Sequence, residues 1–202
     1  MIVYGDTASG NCYKIKLLLS FLNIEHEWRH VDILAGECQR PAFKQLNPNG
    51  KIPLLQLASG ETLSESNAIL NYLAEGTEWL PQQPWLRAKV LQWQFFEQYS
   101  HEPFIAVARY IAVYLGLPAE RKAEYDSKQL GGHKALAVME QQLSQTNYLV
   151  GSGATIADIS LYGYTHVADE GGFDLSGYPA ITDWLQRITE IAGYIPMKDN
   201  EL

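Results

Sequence analysis

Three short segments in the first third of the chain hold residues whose types and spacing could do chemistry. The first covers residues 7–12, where the order Ser-Gly-Asn-Cys from Ser9 to Cys12 has the spacing of a Cys-x-x-Cys redox motif with serine in the first place. A helix that begins here presents unpaired N–H groups and the positive end of its dipole, and both stabilise a thiolate. Serine in the first place excludes ordinary dithiol cycling. The alternative is that Ser9 only caps the helix.

The two cysteines of the chain are Cys12 and Cys38. Cys12 falls inside the predicted helix, where a single cysteine is usually inert packing. Cys38 falls in a polar loop, where we expect an exposed side chain, and no neighbour marks it as a nucleophile. Two cysteines are too few for a disulfide framework, and their spacing fits no metal site. A reducing compartment is therefore the simplest interpretation.

The second segment covers residues 63–67. We predict that Ser64 caps a helix whose first two positions are Glu65 and Ser66. The N–H groups at such a helix start can hold a carboxylate, and the Ser66 hydroxyl adds a donor. Glu65 can accept from an ammonium group, so the pair matches the head group of an α-amino acid. The alternative is an acidic first turn that only compensates the helix dipole.

The third segment is Asn49-Gly50-Lys51-Ile52-Pro53. A cis bond between Ile52 and Pro53 would turn the backbone N–H and C=O of Ile52 outward, where they could pair with an extended peptide. Lys51 could then meet a terminal carboxylate. The alternative is a plain turn into a strand, with a solvated lysine.

The elements that must position these segments alternate between strand and helix. The predicted order is β-α-β-α-β-β-α, with strands at 2–4, 26–33, 52–57 and 62–63. This order predicts one small sheet, made of two parallel strands and a terminal hairpin, with helices packed on it. The imperfect alternation of 26–33 suits an edge strand.

Strand signals end after the stretch 77–84, which we interpret as a linker. A long helix starts near Leu86, and Pro103 is predicted to kink or interrupt it. Helix patterns follow around 136–143 and 181–188. Thr155-Ile156-Ala157-Asp158 has the pattern of a capping box at the start of another helix.

Bulk composition excludes several classes of function. The chain has 202 residues and a net charge of −8, with 15 basic residues that form no run. A nucleic-acid groove needs a basic patch, so we expect no nucleic-acid partner. No stretch of about 18 apolar residues and no basic-then-apolar N-terminal segment occurs, so we predict neither a membrane span nor a signal peptide. The histidines are scattered, and we expect no metal site.

The three segments, in this order, resemble the glutathione transferase superfamily, and in particular its bacterial, serine-type, theta- and phi-like members. Lys51-Ile52-Pro53 resembles the family's cis-proline strand, the segment starting at Glu65 its helix-three signature, and the segment starting at Thr155 its capping box. The resemblance covers essentially the whole chain. It implies an α/β thioredoxin-like N-terminal domain at 1–76, the linker at 77–84 and an all-α C-terminal domain at 85–202.

The resemblance also implies roles for single residues. Ser9 is the expected thiolate-activating hydroxyl, with Asn11 as a second polar contact to the sulfur. The expected contacts to glutathione are the backbone of Ile52 for its cysteinyl part, Lys51 for its glycyl carboxylate, Glu65 and Ser66 for its γ-glutamyl head, and Pro53 as the cis-proline.

One departure from the family concerns the loop before the second helix. Related enzymes often place His or Lys there, near the glycyl end, whereas this chain has Cys38-Gln39-Arg40. The sequence does not decide between Gln39 and Arg40 for that role.

The implied activity is conjugation of the glutathione thiolate to a small hydrophobic electrophile by a cytoplasmic homodimer with a role in detoxification. Glutathione is the co-substrate, and no other cofactor is implied. The residues expected to line the electrophile site are Tyr99, Phe104, Arg109 and Tyr110, with Tyr114 nearby.

Two other functions use the same fold. One is a glutathione-dependent peroxidase or thiol-disulfide reductase, and the other is a non-catalytic glutathione-binding module. Because function resides in the site and not in the fold, the sequence does not separate these from conjugation.

Overall fold

The computed structural model describes residues 1–197. They form two compact units, Met1–Glu75 together with residues 191–197, and Gly76–Glu190. The C-terminal segment therefore differs from the expected division, which gave all of 85–202 to the helical domain. The reason is a pair of hydrogen bonds: the Tyr13 hydroxyl donates to the Ile195 carbonyl at 2.8 Å, and Ser20 Oγ donates to the Gly193 carbonyl at 2.7 Å.

The first unit contains four strands and three α-helices. They are β1 (Ile2–Gly5), α1 (Gly10–Phe21), β2 (Glu27–His30), α2 (Pro41–Leu46), β3 (Leu54–Gln56), β4 (Thr62–Ser64) and α3 (Ser66–Ala74), with a short 3-10 turn at Glu37–Gln39 before α2.

The strands form a single sheet in the order β2-β1-β3-β4. β1 and β2 are parallel, whereas β3 runs antiparallel to both β1 and β4. The predicted pair of parallel strands with a terminal hairpin is thus confirmed. β2 is an edge strand, and it is shorter than the predicted 26–33.

Helix α1 is buried on nearly all sides. Ile15, Leu18 and Leu19 have no exposed surface, and neither have Val3 of β1 and Leu55 of β3. Helix α1 also packs against α3. Ser9 caps the start of the helix in an extended conformation. The core therefore fixes the position of the α1 N-terminus relative to the sheet.

The second unit is helical within the described residues. Its α-helices are α4 (Pro84–Phe96), α5 (Glu102–Arg109), α6 (Lys122–Leu143), α7 (Ile156–Thr165) and α8 (Pro179–Thr189). Wider π-type turns follow α4 at Glu97–His101 and α5 at Tyr110–Tyr114. The predicted interruption at Pro103 is confirmed, because that proline lies in the first turn of α5.

Helix α7 is buried along its whole length and starts with the predicted capping box. Thr155 Oγ1 accepts from the Ala157 N–H at 3.2 Å, and the Asp158 carboxylate accepts from the Thr155 N–H at 2.8 Å. Burial raises the pKa of Asp158, and its hydrogen bonds oppose that shift. Thr155 and Asp158 of the capping box thus form a set of buried polar contacts inside the helical unit.

Within residues 1–197, the structure contains no helix with both the length and the apolar character that a membrane span requires. Over the same residues, no group of three His, Cys, Asp or Glu side chains is arranged to hold a metal ion.

Candidate active site

Sheet topology brings the three candidate segments to one end of the sheet. Tyr4 near the end of β1 lies opposite Leu54 at the start of β3, and Leu54 lies opposite Ser64 at the end of β4. The chain just after β1, just before β3 and just after β4 must therefore meet at that end. Ser9 lies in the stretch after β1, Ile52 in the stretch before β3, and Ser66 in the stretch after β4.

Ser9 has the geometry of a helix cap and keeps a proton to donate. Its Oγ accepts from the Cys12 N–H at 3.4 Å, and its carbonyl accepts from the Tyr13 N–H at 2.9 Å. The side chain is half-buried. An accepting hydroxyl still carries its own hydrogen, so Ser9 can donate to an anion at the start of α1.

A side-chain hydrogen bond joins the starts of α1 and α3. Ser66 Oγ donates to Asn11 Oδ1 at 3.2 Å, and Lys14 Nζ donates to the same oxygen at 2.7 Å. Ser66 is buried and Lys14 has no exposed surface. The sequence placed Ser66 and Asn11 at separate candidate sites, and the fold connects them. Neither residue's local pattern signals this contact, and Lys14 was not among the candidates.

Glu65 is the cap residue of α3, and the helix begins at Ser66. The prediction that Ser64 caps this helix is wrong, since Ser64 is the last residue of β4. Glu65 turns the chain from strand to helix with φ 69°, in the left-handed region. For a residue other than glycine this conformation costs on the order of 1–3 kcal/mol, and such strain is concentrated at functional sites. The side chain is exposed and makes no capping hydrogen bond.

The segment before β3 presents open backbone. The peptide bond between Ile52 and Pro53 is cis. Among the described residues the backbone N–H and C=O of Ile52 have no hydrogen-bond partner. Asn47 Nδ2 donates to the Lys51 carbonyl at 2.7 Å and holds the turn, while the Lys51 side chain is exposed. An extended ligand can therefore pair with Ile52.

The structure distinguishes between Gln39 and Arg40, the two loop residues considered for contact with the glycyl end of glutathione. Gln39 Nε2 donates to the Gly50 carbonyl at 3.1 Å, directly beside Lys51. Gly50 has φ 61°, and a Cβ there would lie 2.9 Å from both Gln39 Nε2 and the Cys38 carbonyl oxygen, so only glycine fits. Arg40 instead pairs with Glu37 at 2.9 Å. Gln39 is thus the one held against the Lys51 turn.

Neither cysteine has the surroundings of a reactive thiol. Burial raises the pKa of Cys12 to about 12 despite the hydrogen bond with Ser9. Cys38 is 7% exposed and packs with Val31, Phe43 and Leu54, so the expectation of an exposed side chain is wrong. The polar residues around Cys38 indicate an exposed loop, but the 3-10 turn directs the Cys38 side chain inward.

The Tyr4 hydroxyl makes hydrogen bonds to two side chains of neighbouring strands. It donates to Gln56 Oε1 at 2.9 Å and accepts from Arg29 Nη1 at 2.9 Å. Both contacts lie within the sheet, since Arg29 belongs to β2 and Gln56 to β3.

The four residues expected to line an electrophile site differ in their surroundings. Arg109 is 1% exposed and pairs with Glu170 at 2.7 Å, so its guanidinium belongs to the core and we correct its assignment. The Phe104 ring packs on α6 over Gly131, where a Cβ would come within 2.2 Å of it. Tyr110 lies against Tyr114 with ring centroids 5.3 Å apart, and Tyr99 is 86% exposed.

Comparison with known proteins places the chain in one family. Models of the glutathione S-transferase N-terminal and C-terminal domains match residues 8–75 and 99–192. The crystal structure of a glutathione S-transferase from Pseudomonas fluorescens has 62% sequence identity and a TM-score of 0.97, with 98% of each chain covered. A disulfide-bond oxidoreductase of Escherichia coli is 31% identical over 93% of this chain and 88% of its own.

A third relative was solved with a ligand. It is a glutathione transferase from Phanerochaete chrysosporium in complex with oxidized glutathione, with 25% identity, a TM-score of 0.85 and coverage of 95% of this chain and 91% of its own. From these similarities, the chain belongs to the glutathione S-transferase family, and the transferase class of enzyme is supported by its similarity to the Pseudomonas protein.

Proposed function

We propose that this glutathione transferase binds glutathione at the end of the sheet where α1, β3 and α3 begin, and conjugates its thiolate to small apolar electrophiles. The observation that carries the proposal is the Ser66–Asn11 hydrogen bond, which places the starts of α1 and α3 side by side. Two helix N-termini then serve one anionic ligand.

Each part of glutathione has a partner of matching chemistry. The γ-glutamyl carboxylate pairs with the backbone N–H groups at the start of α3, because the single Ser66 hydroxyl hydrogen is donated to Asn11 Oδ1. The ammonium group of the ligand pairs with the Glu65 carboxylate. The cysteinyl backbone pairs with the open N–H and C=O of Ile52, next to Pro53. The glycyl carboxylate lies near Lys51, with Gln39 beside it. These contacts would bind the tripeptide in an extended form.

Activation of the thiol falls to Ser9 at the start of α1. A free thiol has a pKa of about 8.5, so few molecules are ionised at neutral pH. Lowering the pKa by ~2 needs about 2.7 kcal/mol of preferential thiolate stabilisation. One hydrogen bond to a charged group contributes about 1.5–3 kcal/mol, and the helix dipole adds to it. Ser9 acts as a donor and need not ionise.

The electrophile is expected to contact aromatic side chains of the helical unit. Tyr110 and Tyr114 are half-buried and keep surface for an apolar ligand. Phe104 remains in this proposal. Arg109 does not, because it is enclosed in the core, and Tyr99 does not, because it belongs to the dimer surface proposed below.

The disulfide-bond oxidoreductase relative favours a second candidate function, glutathione-dependent reduction of disulfides or peroxides at the same site. Cys12 cannot supply the thiol in that case, because it is buried with a pKa raised to about 12. The reducing thiols would both come from glutathione. The third candidate, a module that binds glutathione without turnover, uses the same contacts.

We also propose a homodimer in the cytoplasm. Leu91, Phe95 and Tyr99 follow one another at helical spacing, and Phe95 and Tyr99 are 69% and 86% exposed. Such a stripe can bury itself against a second copy across a two-fold axis. The two unpaired cysteines suit a reducing compartment, where conjugation would serve detoxification.

The test compares binding with turnover. Calorimetry gives the dissociation constant of glutathione, and assays with an aryl halide, a mixed disulfide and an organic hydroperoxide give the reaction. Conjugation of the aryl halide supports the proposal, and turnover of only the other two supports the reductase. Absence of binding at millimolar glutathione would reject all three candidates.

A further inference from the structure

Lys14 has no exposed surface although it carries an ammonium group. It lies on α1, one turn after Asn11, and its Nζ donates to Asn11 Oδ1 at 2.7 Å. Burying a charge is costly unless the group is paired and hydrogen-bonded, and lysine is among the residues that are rarely enclosed. One acceptor for this ammonium is Asn11, which lies two residues after the proposed thiol-activating Ser9. This placement suggests a role at the site.

The Lys14 contact determines which way the Asn11 carboxamide faces. Its Oδ1 accepts from both Lys14 Nζ and Ser66 Oγ. A carbonyl oxygen has two lone pairs, so these two donors match its capacity. In the flipped orientation the amide N–H2 would meet an ammonium, and two donors would face each other. The ammonium therefore specifies the rotamer in which oxygen lies toward Lys14 and nitrogen lies away from it.

We propose that Lys14 is a positioning residue that holds the Asn11 carboxamide with its oxygen inward and its N–H2 group toward the glutathione sulfur. The inference rests on the proposed glutathione site and adds a residue that acts through another. Nδ2 lies opposite Oδ1 on the carboxamide, so an oxygen held toward Lys14 and Ser66 directs the N–H2 group to the other side. Ser9 and Asn11 then donate to the same anion from the first turn of α1.

The effect is selective for the thiolate. An ammonium hydrogen-bonded to Oδ1 polarises the amide and strengthens its N–H donors, and the low dielectric of the buried interior increases this polarisation. Stronger N–H donors stabilise the anion and leave the neutral thiol nearly unaffected. Removing Lys14 should therefore change the acidity of bound glutathione more than its affinity. Removal of a purely structural lysine would not change the acidity of bound glutathione more than its affinity.

The test is a double-mutant cycle read by ultraviolet absorbance of the bound thiolate against pH, with affinity measured by calorimetry. Lys14→Met should raise the pKa of the bound thiol by about 1, a tenfold change, while affinity changes less than threefold. In an Asn11→Ala background, Lys14→Met should add little. Lys16→Met, two residues along α1, is the matched control and should leave the thiol unchanged.

Additive effects of Lys14→Met and Asn11→Ala would overturn the proposal, as would an unchanged thiol pKa in a folded Lys14→Met protein. If that variant does not fold, Asn11→Asp keeps an acceptor for Lys14 and Ser66 and places an oxygen where the N–H2 lay. Asn11→Asp should then raise the thiol pKa more than Asn11→Ala, and an equal or smaller rise rejects the orientation. Failure of the parent protein to bind glutathione would reject the proposed function itself, and this inference with it.

Discussion

The Trp184 indole N–H donates to Asp158 Oδ1 at 3.0 Å, which joins α8 to the start of α7. The same oxygen accepts from the Leu149 N–H at 2.9 Å, and the other carboxylate oxygen accepts from the N–H and hydroxyl of Thr155. One buried carboxylate thus satisfies donors from three separate parts of the helical unit.

Asp158→Ala should lower the free energy of unfolding by about 3 kcal/mol, because it leaves buried N–H groups of Leu149, Thr155 and Trp184 without an acceptor. Urea denaturation measures the effect. Asp183→Ala, at an exposed position of α8, is the matched control and should stay within about 0.5 kcal/mol of the parent. Equal midpoints for the two variants would contradict this account.

Stability should fall with acidification because of His166. Burial lowers its pKa from 6.5 to about 4, and the ring lies stacked on Tyr162 with Nδ1 2.7 Å from the Tyr162 carbonyl. The unfolded chain takes up a proton near pH 6.5, whereas the folded ring does so only near pH 4. Stability from this group is therefore complete above pH 6.5 and is lost between 6.5 and 4, by about 3 kcal/mol.

The measurement for His166 is the free energy of unfolding at several pH values across this window. His166→Phe should flatten the slope, because it removes the titrating ring and keeps an aromatic surface for Tyr162. His30→Gln changes an exposed histidine and should leave the slope as it is. A slope that persists unchanged in His166→Phe assigns the acid sensitivity to other groups.

Glutathione affinity should depend on Glu65 and Ser66. Glu65→Gln removes the proposed partner of the ligand's ammonium group, and Ser66→Ala removes the hydroxyl that holds the start of α3 to Asn11. Each should weaken binding several-fold, by about 1–2 kcal/mol, as measured by calorimetry. Glu61 lies in the β3–β4 turn and accepts a hydrogen bond from Ser59, so Glu61→Gln serves as a control. Unchanged dissociation constants in both site variants would move the γ-glutamyl contact elsewhere.

Turnover should depend on Ser9 and not on Cys12. Ser9→Ala removes a donor to the thiolate, so it should lower turnover by about 10- to 1,000-fold and raise the pKa of bound glutathione, with a much smaller change in affinity. Loss of the cap should also cost about 1 kcal/mol of stability. Cys12→Ala should be nearly silent in steady-state assays. A silent Ser9→Ala with an inactive Cys12→Ala would transfer the chemistry to the thiol.

Phe95→Glu should dissociate the proposed dimer. A charge in the middle of the stripe Leu91, Phe95 and Tyr99 opposes burial against a second copy, because each ion would lose its hydration. Light scattering at micromolar concentration should show a dimer for the parent protein and a monomer for the variant. Gln45→Glu, at an exposed position of α2, controls for the added charge. A monomeric parent protein would end the proposal.

Several features of this chain follow from local patterns that the sequence contains in full. The strand and helix order of the first unit, the cap at Ser9, the interruption at Pro103 and the capping box from Thr155 to Asp158 all depend on residues within a few positions of one another. Backbone geometry and hydrogen bonds act at that range, so side-chain type and spacing predict them. The resemblance to one family then indicated what these patterns do together, namely bind glutathione.

The tertiary structure alone decided burial and long-range pairing. Nothing near Lys14 or Cys38 in the sequence indicates that either is enclosed, and Arg109 is neutralised by Glu170, 61 residues away. The bond between Asn11 and Ser66 spans 55 residues. Such contacts exist because the sheet brings distant segments to one end, and their geometry depends on packing that local spacing does not contain. The sequence therefore determined which groups were candidates for the site, and the fold decided which of them touch.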